Sequence, residues 1–215
     1  MQVKNDPAIV LYRHALSGHC HRVELFTQLL GLPLTLVDVD LRQGEQRTEA
    51  FLKLNPFGQV PVIDDSGTVV TDSNAILTYL ALRYAPEHWL PREPLAAARV
   101  QQWLSIAAGP LASSSAAARV VHVFKLPRDA SPAVKEAHML FKRMDSTLAL
   151  HGAPWITGAA LPSIADLALY AYTAHAPEGG IALDDYPTLR AWLGRVEALP
   201  GFVAMQPTAC GLNAA

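Results

Sequence analysis

Residues 55–64 read NPFGQVPVID, with a proline at 61 inside what is otherwise a β-strand pattern. Proline cannot donate a ladder hydrogen bond, so it belongs at the start of a strand, on a sheet edge or in a special turn. A cis Val60–Pro61 bond is one solution. It would turn the Val60 backbone outward and leave its N–H and C=O free to pair with an extended peptide ligand. An ordinary trans proline opening an edge strand is the other, and the choice depends on what surrounds the segment.

Upstream, AIVLYRH (8–14) is a compact run with β-branched residues, and LTLVDVDL (34–41) alternates apolar and polar positions, so both predict strands. Between them Val23, Phe26 and Leu30 recur at helical spacing. Leu25 and Leu29 widen that stripe, and Gly31 stands where a helix ends. A short helix is expected around EAFLKLN. Downstream, VPVID and TVVTD flank a D-D-S-G turn of hairpin length, and SNAILTYLALRY predicts a helix with Ser73 as N-cap. Residues 1–85 thus predict a β-α-β-α-β-β-α layer, an α/β domain.

The segment PEHWLPREP (86–94) holds three prolines and predicts a linker. Beyond it every periodic stretch is helical: LAAARVQQWLSIAAG, ASPAVKEAHMLFKRMDSTLALHG, SIADLALYAYTA and YPTLRAWLGRVEALPG. The expected second domain, residues 92–215, is all-α.

The chain has 215 residues, a formal net charge of −2 and 51% hydrophobic residues, a balance that favours neither disorder nor an electrostatic grip on nucleic acid. No uninterrupted apolar run approaches a bilayer span, and the N-terminus MQVKNDPAIV lacks a signal-peptide plan, so a cytoplasmic protein without a membrane partner is expected. Cys20 and Cys210 form no disulfide framework and are expected as free thiols.

Chemistry-bearing residues crowd ALSGHCHRVEL (15–25), where Ser17, His19, Cys20 and His21 fall within five positions. No CxxC redox motif is present, and no second ligand cluster accompanies these residues, so no metal is expected. Ser17 stands between the first strand and the first helix, where an N-cap and a helix dipole converge. His19 and His21 sit at a helix start, a poor place for cations, and are expected neutral and partly exposed. In TDSNAIL (71–77), Asp72 and Ser73 lie at a strand-to-helix junction suited to an anion, or to a plain cap. In SIADLALYAY (163–172), Ser163 and Asp166 form a capping box that serves folding.

Taken together, these segments resemble the glutathione S-transferase family over nearly the whole chain. NPFGQVPVI is similar to its cis-proline segment, DSNAIL to its γ-glutamyl-binding turn and PSIADLALYAY to its C-terminal folding motif. LYRHALSGHCHRVEL resembles the first strand and turn of its serine-type bacterial members, close to the theta, nu and beta classes. The resemblance implies a thioredoxin-like N-terminal domain, a helical C-terminal domain that contributes the electrophile pocket, and glutathione as co-substrate. It also implies a homodimer.

By residue, it makes Ser17 the stabiliser of the glutathione thiolate. Val60, beside Pro61, becomes the backbone partner of the cysteinyl residue, and Asp72 and Ser73 the γ-glutamyl anchors. Gln59, with Gln43 or Lys53, would line the rest of the tripeptide site. Arg119 would reach toward the glutathione carboxylates, or else lie on the surface. Ala107, Ala108, Leu111 and Ala116 would form an apolar wall for a small hydrophobic electrophile. A glutathione-dependent disulfide reductase and a non-catalytic glutathione-binding module are the alternatives within the same fold. The isomerases of the zeta class carry a Ser-Ser-Cys run where this chain has Ser17, Gly18 and His19, which points away from their chemistry.

Overall fold

The structure, a computed structural model, describes residues 8–208, so Cys210 lies outside the described residues. Strand β1 (Ile9–Arg13) is central: β2 (Leu34–Asp38) pairs with it in parallel and β3 (Val62–Asp65) antiparallel. Strand β4 (Thr68–Thr71) completes the order β2-β1-β3-β4. The β3–β4 turn places Ser66 at φ 56° and Gly67 at φ 89°, the doubly left-handed geometry that matches strand twist. Its tip is tied by the Gly67 N–H donating to Asp64 Oδ1 at 2.6 Å. Helices α1 (Gly18–Leu29), α2 (Glu49–Leu54) and α3 (Ser73–Tyr84) fall between and after the strands in the expected order. Pro61 stands immediately before β3, and the Val60–Pro61 peptide is cis.

The prolines of the linker leave only a 3-10 turn at Glu87–Trp89, whose Trp89 is buried with its ring 5.0 Å from that of Phe26 in α1. Five helices follow: α4 (Pro94–Ala108), α5 (Ala117–Val123), α6 (Ser131–His151), α7 (Ile164–Ala174) and α8 (Pro187–Glu197). The Ala/Ser stretch does not break the chain between α4 and α5 but winds as a π turn over 112–116. The Pro110 carbonyl accepts there from the Ser113 and Ser114 hydroxyls. By length and composition the run 94–123 would suit a bilayer, yet half of its most apolar window is buried inside the fold.

One continuous core joins the two halves, running from Leu11, Phe26 and Ile76 to Phe141, Leu167 and Trp192. Helix α7 is its axis, buried at every position from Ile164 to Thr173. This packing corrects the expected electrophile wall: Ala107, Leu111 and Ala116 are core residues, because the apolar stripe of this stretch faces inward, and Ala108 is exposed.

The expected cap of α7 is present and does more than cap. The fully buried Asp166 carboxylate accepts from the Ser163 N–H at 2.9 Å and the Ser163 hydroxyl at 3.0 Å. It also accepts from the Ile156 N–H at 3.0 Å and from Trp192 Nε1 at 2.9 Å, tying α8 and the loop before α7 to one carboxylate. An Asp166→Ala substitution strands these buried donors and is expected to cost about 3–5 kcal/mol of stability in urea unfolding. A loss below about 1 kcal/mol would contradict this account of the α7 cap.

Candidate active site

Sheet register decides which sequence segments meet. Tyr12 near the end of β1 pairs with Val62 at the start of β3, and Val62 pairs with Thr71 at the end of β4. The turn before α1, the Gln59–Pro61 segment and the entry to α3 therefore share one end of the sheet. A cavity of about 350 Å³ opens there, and its walls include His19, Gln59, Val60, Pro61, Asp72 and Ser73. Gln43 and the exposed Lys53, which is ion-paired with Glu49, are not among its walls. Ser17 is not a wall residue either; it lies two positions before His19, on the turn itself.

Local chemistry shapes each segment. The side chain of buried Asn55 grips its own loop, Nδ2 donating to the Gln59 carbonyl at 2.7 Å and Oδ1 accepting from the Phe57 N–H at 3.1 Å. Between them Gly58 sits at φ +60°, where a Cβ would lie 2.9 Å from the Gln46 carbonyl oxygen, so only glycine fits. At the first turn, Ser17 is the N-cap of α1: its Oγ accepts from the Cys20 N–H at 3.3 Å, and its side chain is also hydrogen-bonded with the buried Tyr172 hydroxyl of α7. Cys20 is packing: its Sγ accepts from the His14 N–H at 3.4 Å, and burial pushes its thiol up to about 11.

The cap of α3 falls one residue earlier than expected, on Asp72 rather than Ser73. Asp72 adopts φ 67°, and its Oδ1 accepts from the N–H groups of Asn74 and Ala75 at 2.9 and 3.0 Å. Ser73 becomes the first helical residue, buried, with its N–H among the donors that no helical carbonyl satisfies.

The helical domain supports the same turn from behind. Tyr172 of α7 lies against Gly18, where a Cβ would stand 2.9 Å from its ring, and its ring centroid is 5.0 Å from that of His19. Arg119 is neither at the cavity nor on the surface: it is 1% exposed and its Nη1 donates to the Leu16 carbonyl at 2.8 Å. Glu178 balances it at 2.6 Å, and Thr208 Oγ1 accepts from Nη2 at 3.0 Å. No periodicity announces these contacts, since they join residues far apart in sequence.

Both histidines of the opening turn are held neutral. Burial, helped by the Arg22 charge, pushes His19 down to about 3. Burial pushes His21 down to about 4, its bond to the Val203 carbonyl opposing only in part. His21 departs from the expected exposure: it is buried, with Nε2 at 2.8 Å from the Val203 carbonyl oxygen and Tyr170 beside it. The segment after α8 folds back onto α1 and covers it. Among the described residues no group of three His, Cys, Asp or Glu is arranged to hold a metal. A larger open groove of about 1070 Å³ in the helical domain, bordered by Lys125, Arg128, Lys135 and Lys142, contains none of the sequence-predicted site residues.

The two-part fold is shared with known proteins. Residues 16–83 match the model of the glutathione S-transferase N-terminal domain, and residues 128–204 that of the C-terminal domain. Bovine glutathione S-transferase theta-1 is 32% identical over 207 residues, covering 91% of this chain and 85% of the relative. The human theta-1 protein is also 32% identical, over 89% of this chain and 83% of its own length. Among solved structures, a glutathione S-transferase from Pseudomonas fluorescens superposes with a TM-score of 0.85 at 36% identity, covering 93% of this chain and 99% of the other. One from Xanthobacter autotrophicus gives 0.84 at 32% identity over 93% and 98%.

The buried neutral state of His21 has a consequence for acid stability. Its folded pKa lies below the unfolded value, so between those values the unfolded chain binds a proton that the native state refuses. Stability is therefore lost as pH falls from about 6.5 toward 4. His21→Gln is expected to flatten the stability curve in that window by about 1 kcal/mol per pH unit, measured by urea unfolding at a series of pH values. An unchanged slope would show that His21 already titrates freely in the native state.

Proposed function

This chain belongs to the glutathione S-transferase family and is a glutathione transferase; from that premise we propose that Ser17 activates the glutathione thiol for attack on a small hydrophobic electrophile. The observation that supports this reading is the convergence of the N-termini of α1 and α3 with the Val60–Pro61 turn at one end of the sheet. In the proposed mode the tripeptide lies along the cavity at this end. Its cysteinyl backbone pairs with Val60, Gln59 lies alongside, and its γ-glutamyl group meets Asp72 and Ser73. Asp72 Oδ1 is occupied by the α3 cap, so Oδ2 accepts from the ligand ammonium. The Ser73 N–H and hydroxyl receive the α-carboxylate at a helix N-terminus.

Ser17 donates and does not ionise. A free thiol titrates near ~8.5, and lowering it by about two units requires about 2.7 kcal/mol, within reach of one charge-assisted hydrogen bond and a helix end. The thiol proton passes to solvent, the sulfur forms a bond to the electrophilic carbon, and the electron pair of the bond that breaks leaves with the leaving group. The apolar groups beside the turn belong to the end of α5, where Phe124 lies 6.4 Å from the His14 ring.

We also propose that two copies pair. Phe57 stands 79% exposed beside the cavity, an anchor without a partner in the single chain. A groove of about 530 Å³ between α4 and α6, walled by Trp103, Ile106, Met139 and Leu140, is of a size and polarity to accept such a ring from a second copy.

Replacing Ser17 with alanine is expected to lower kcat/KM for an aryl halide about 100-fold and to move the apparent pKa of the rate profile up by about two units. A profile left in place, with kcat/KM intact, would remove Ser17 from the mechanism. Phe57→Ser is expected to yield a monomer by light scattering, and a dimer of unchanged affinity would exclude this aromatic as the anchor.

A further inference from the structure

Arg22 is fully buried, yet no carboxylate lies within ion-pair distance of it among the described residues. Its Nη1 donates to Ser73 Oγ at 3.2 Å and to Asn74 Oδ1 at 2.9 Å, while Nε and Nη2 have no hydrogen-bond partner. An unmatched buried guanidinium is expensive, and the fold contains a counterexample to show what matching looks like: buried Arg119 is paired with Glu178. Of the acidic groups around Arg22, burial keeps the Tyr172 hydroxyl and the Cys20 thiol protonated, and Asp72 is exposed with one carboxylate oxygen already committed to the α3 cap.

The bond to Ser73 also carries directional information. A guanidinium can only donate, so Ser73 Oγ accepts from it and must send its own proton elsewhere. His19 Nδ1 lies 3.4 Å from Ser73 Oγ and accepts that proton when the imidazole carries its own on Nε2. That histidine is neutral because burial and Arg22 itself disfavour its cation, which leaves Nδ1 able to accept. The Ser73 hydroxyl, one wall of the cavity, is thereby polarised by a buried cation behind it and held by a weak partner that an anion can replace.

We propose that Arg22 is a positioning residue for the α-carboxylate of glutathione, acting through Ser73: it orients the Ser73 hydroxyl as a donor and supplies from within the protein the positive charge that the ligand anion completes. This rests on the reading that Asp72 and Ser73 anchor the γ-glutamyl group. The neighbouring bond to Asn74, whose Nδ2 donates to the Leu104 carbonyl of α4 at 2.9 Å, keeps the entry to α3 in register with this cation.

The test compares glutathione with an analogue lacking only the α-carboxylate, 4-aminobutyryl-cysteinyl-glycine, by calorimetric titration of the intact protein and of Arg22→Met, Arg22→Lys and Ser73→Ala. The unaltered protein is expected to prefer glutathione by about tenfold or more. In Arg22→Met that preference is expected to fall below about threefold, through weaker glutathione binding with the analogue unaffected, and Arg22→Lys to recover part of it. Arg22→Met combined with Ser73→Ala is expected to be no worse than either alone. A preference that survives in Arg22→Met, or additive losses in the double variant, would overturn the role of Arg22. If the unaltered protein shows no preference at all, the γ-glutamyl anchoring itself fails, a result separate from the first. Should Arg22→Met not fold, the Arg22→Lys and Ser73→Ala titrations decide: an undiminished preference in both refutes the proposal, and a partial loss in the first with collapse in the second sustains it.

Discussion

The contact between Tyr172 and Gly18 governs how the two halves of this chain meet. A Cβ at residue 18 would sit 2.9 Å from the tyrosine ring, so the first residue of α1 must be bare for α7 to approach. Because α7 is buried along its length, that approach is set by the whole helical core and not by a surface contact. The turn that carries Ser17 is thus pressed from one side by a buried aromatic and held from the other by Arg119 on the Leu16 carbonyl. A turn built only from N-terminal residues would have the mobility of a loop; this one has a backbone whose position is determined by the second domain.

Two buried arginines perform opposite tasks in this arrangement. Arg119 is paired with Glu178, which also accepts from the Thr208 N–H and is bonded to His175, so its charge is satisfied inside the protein. It contributes geometry. Arg22 donates only to neutral oxygens, so its charge remains unmatched in the single chain. A buried charge without a counter-ion weakens the free fold and strengthens binding of whatever anion completes it, which is how a site differs electrostatically from a core.

How much of this was legible in the sequence depended on whether the signal was local. Strand and helix order followed from period and punctuation: Pro61, the D-D-S-G turn and Gly31 each mark a boundary that the structure keeps. Ser163 and Asp166 were legible because a capping box spans four residues, although the bonds from Ile156 and Trp192 that make the carboxylate a hub were not. Arg119 and Arg22 were illegible as buried residues, since arginine usually lies on the surface and their partners are 51 to 103 positions away. The apolar residues at 107, 111 and 116 signalled an apolar face correctly, but the face serves the core.

The one-residue displacement of the α3 cap carries the same lesson into the site. With Ser73 as N-cap, its oxygen would accept from its own helix and compete with any ligand. With Asp72 in the left-handed region taking over that task, the serine oxygen is released from the cap and instead accepts from Arg22. Asp72 commits one oxygen to the helix, while Ser73 Oγ accepts from the Arg22 cation behind it and lies 3.4 Å from His19 Nδ1. The unfavourable backbone angle at Asp72, of order 1 kcal/mol for a non-glycine residue, therefore relieves Ser73 Oγ of capping, which in the proposed mode leaves it available to the ligand.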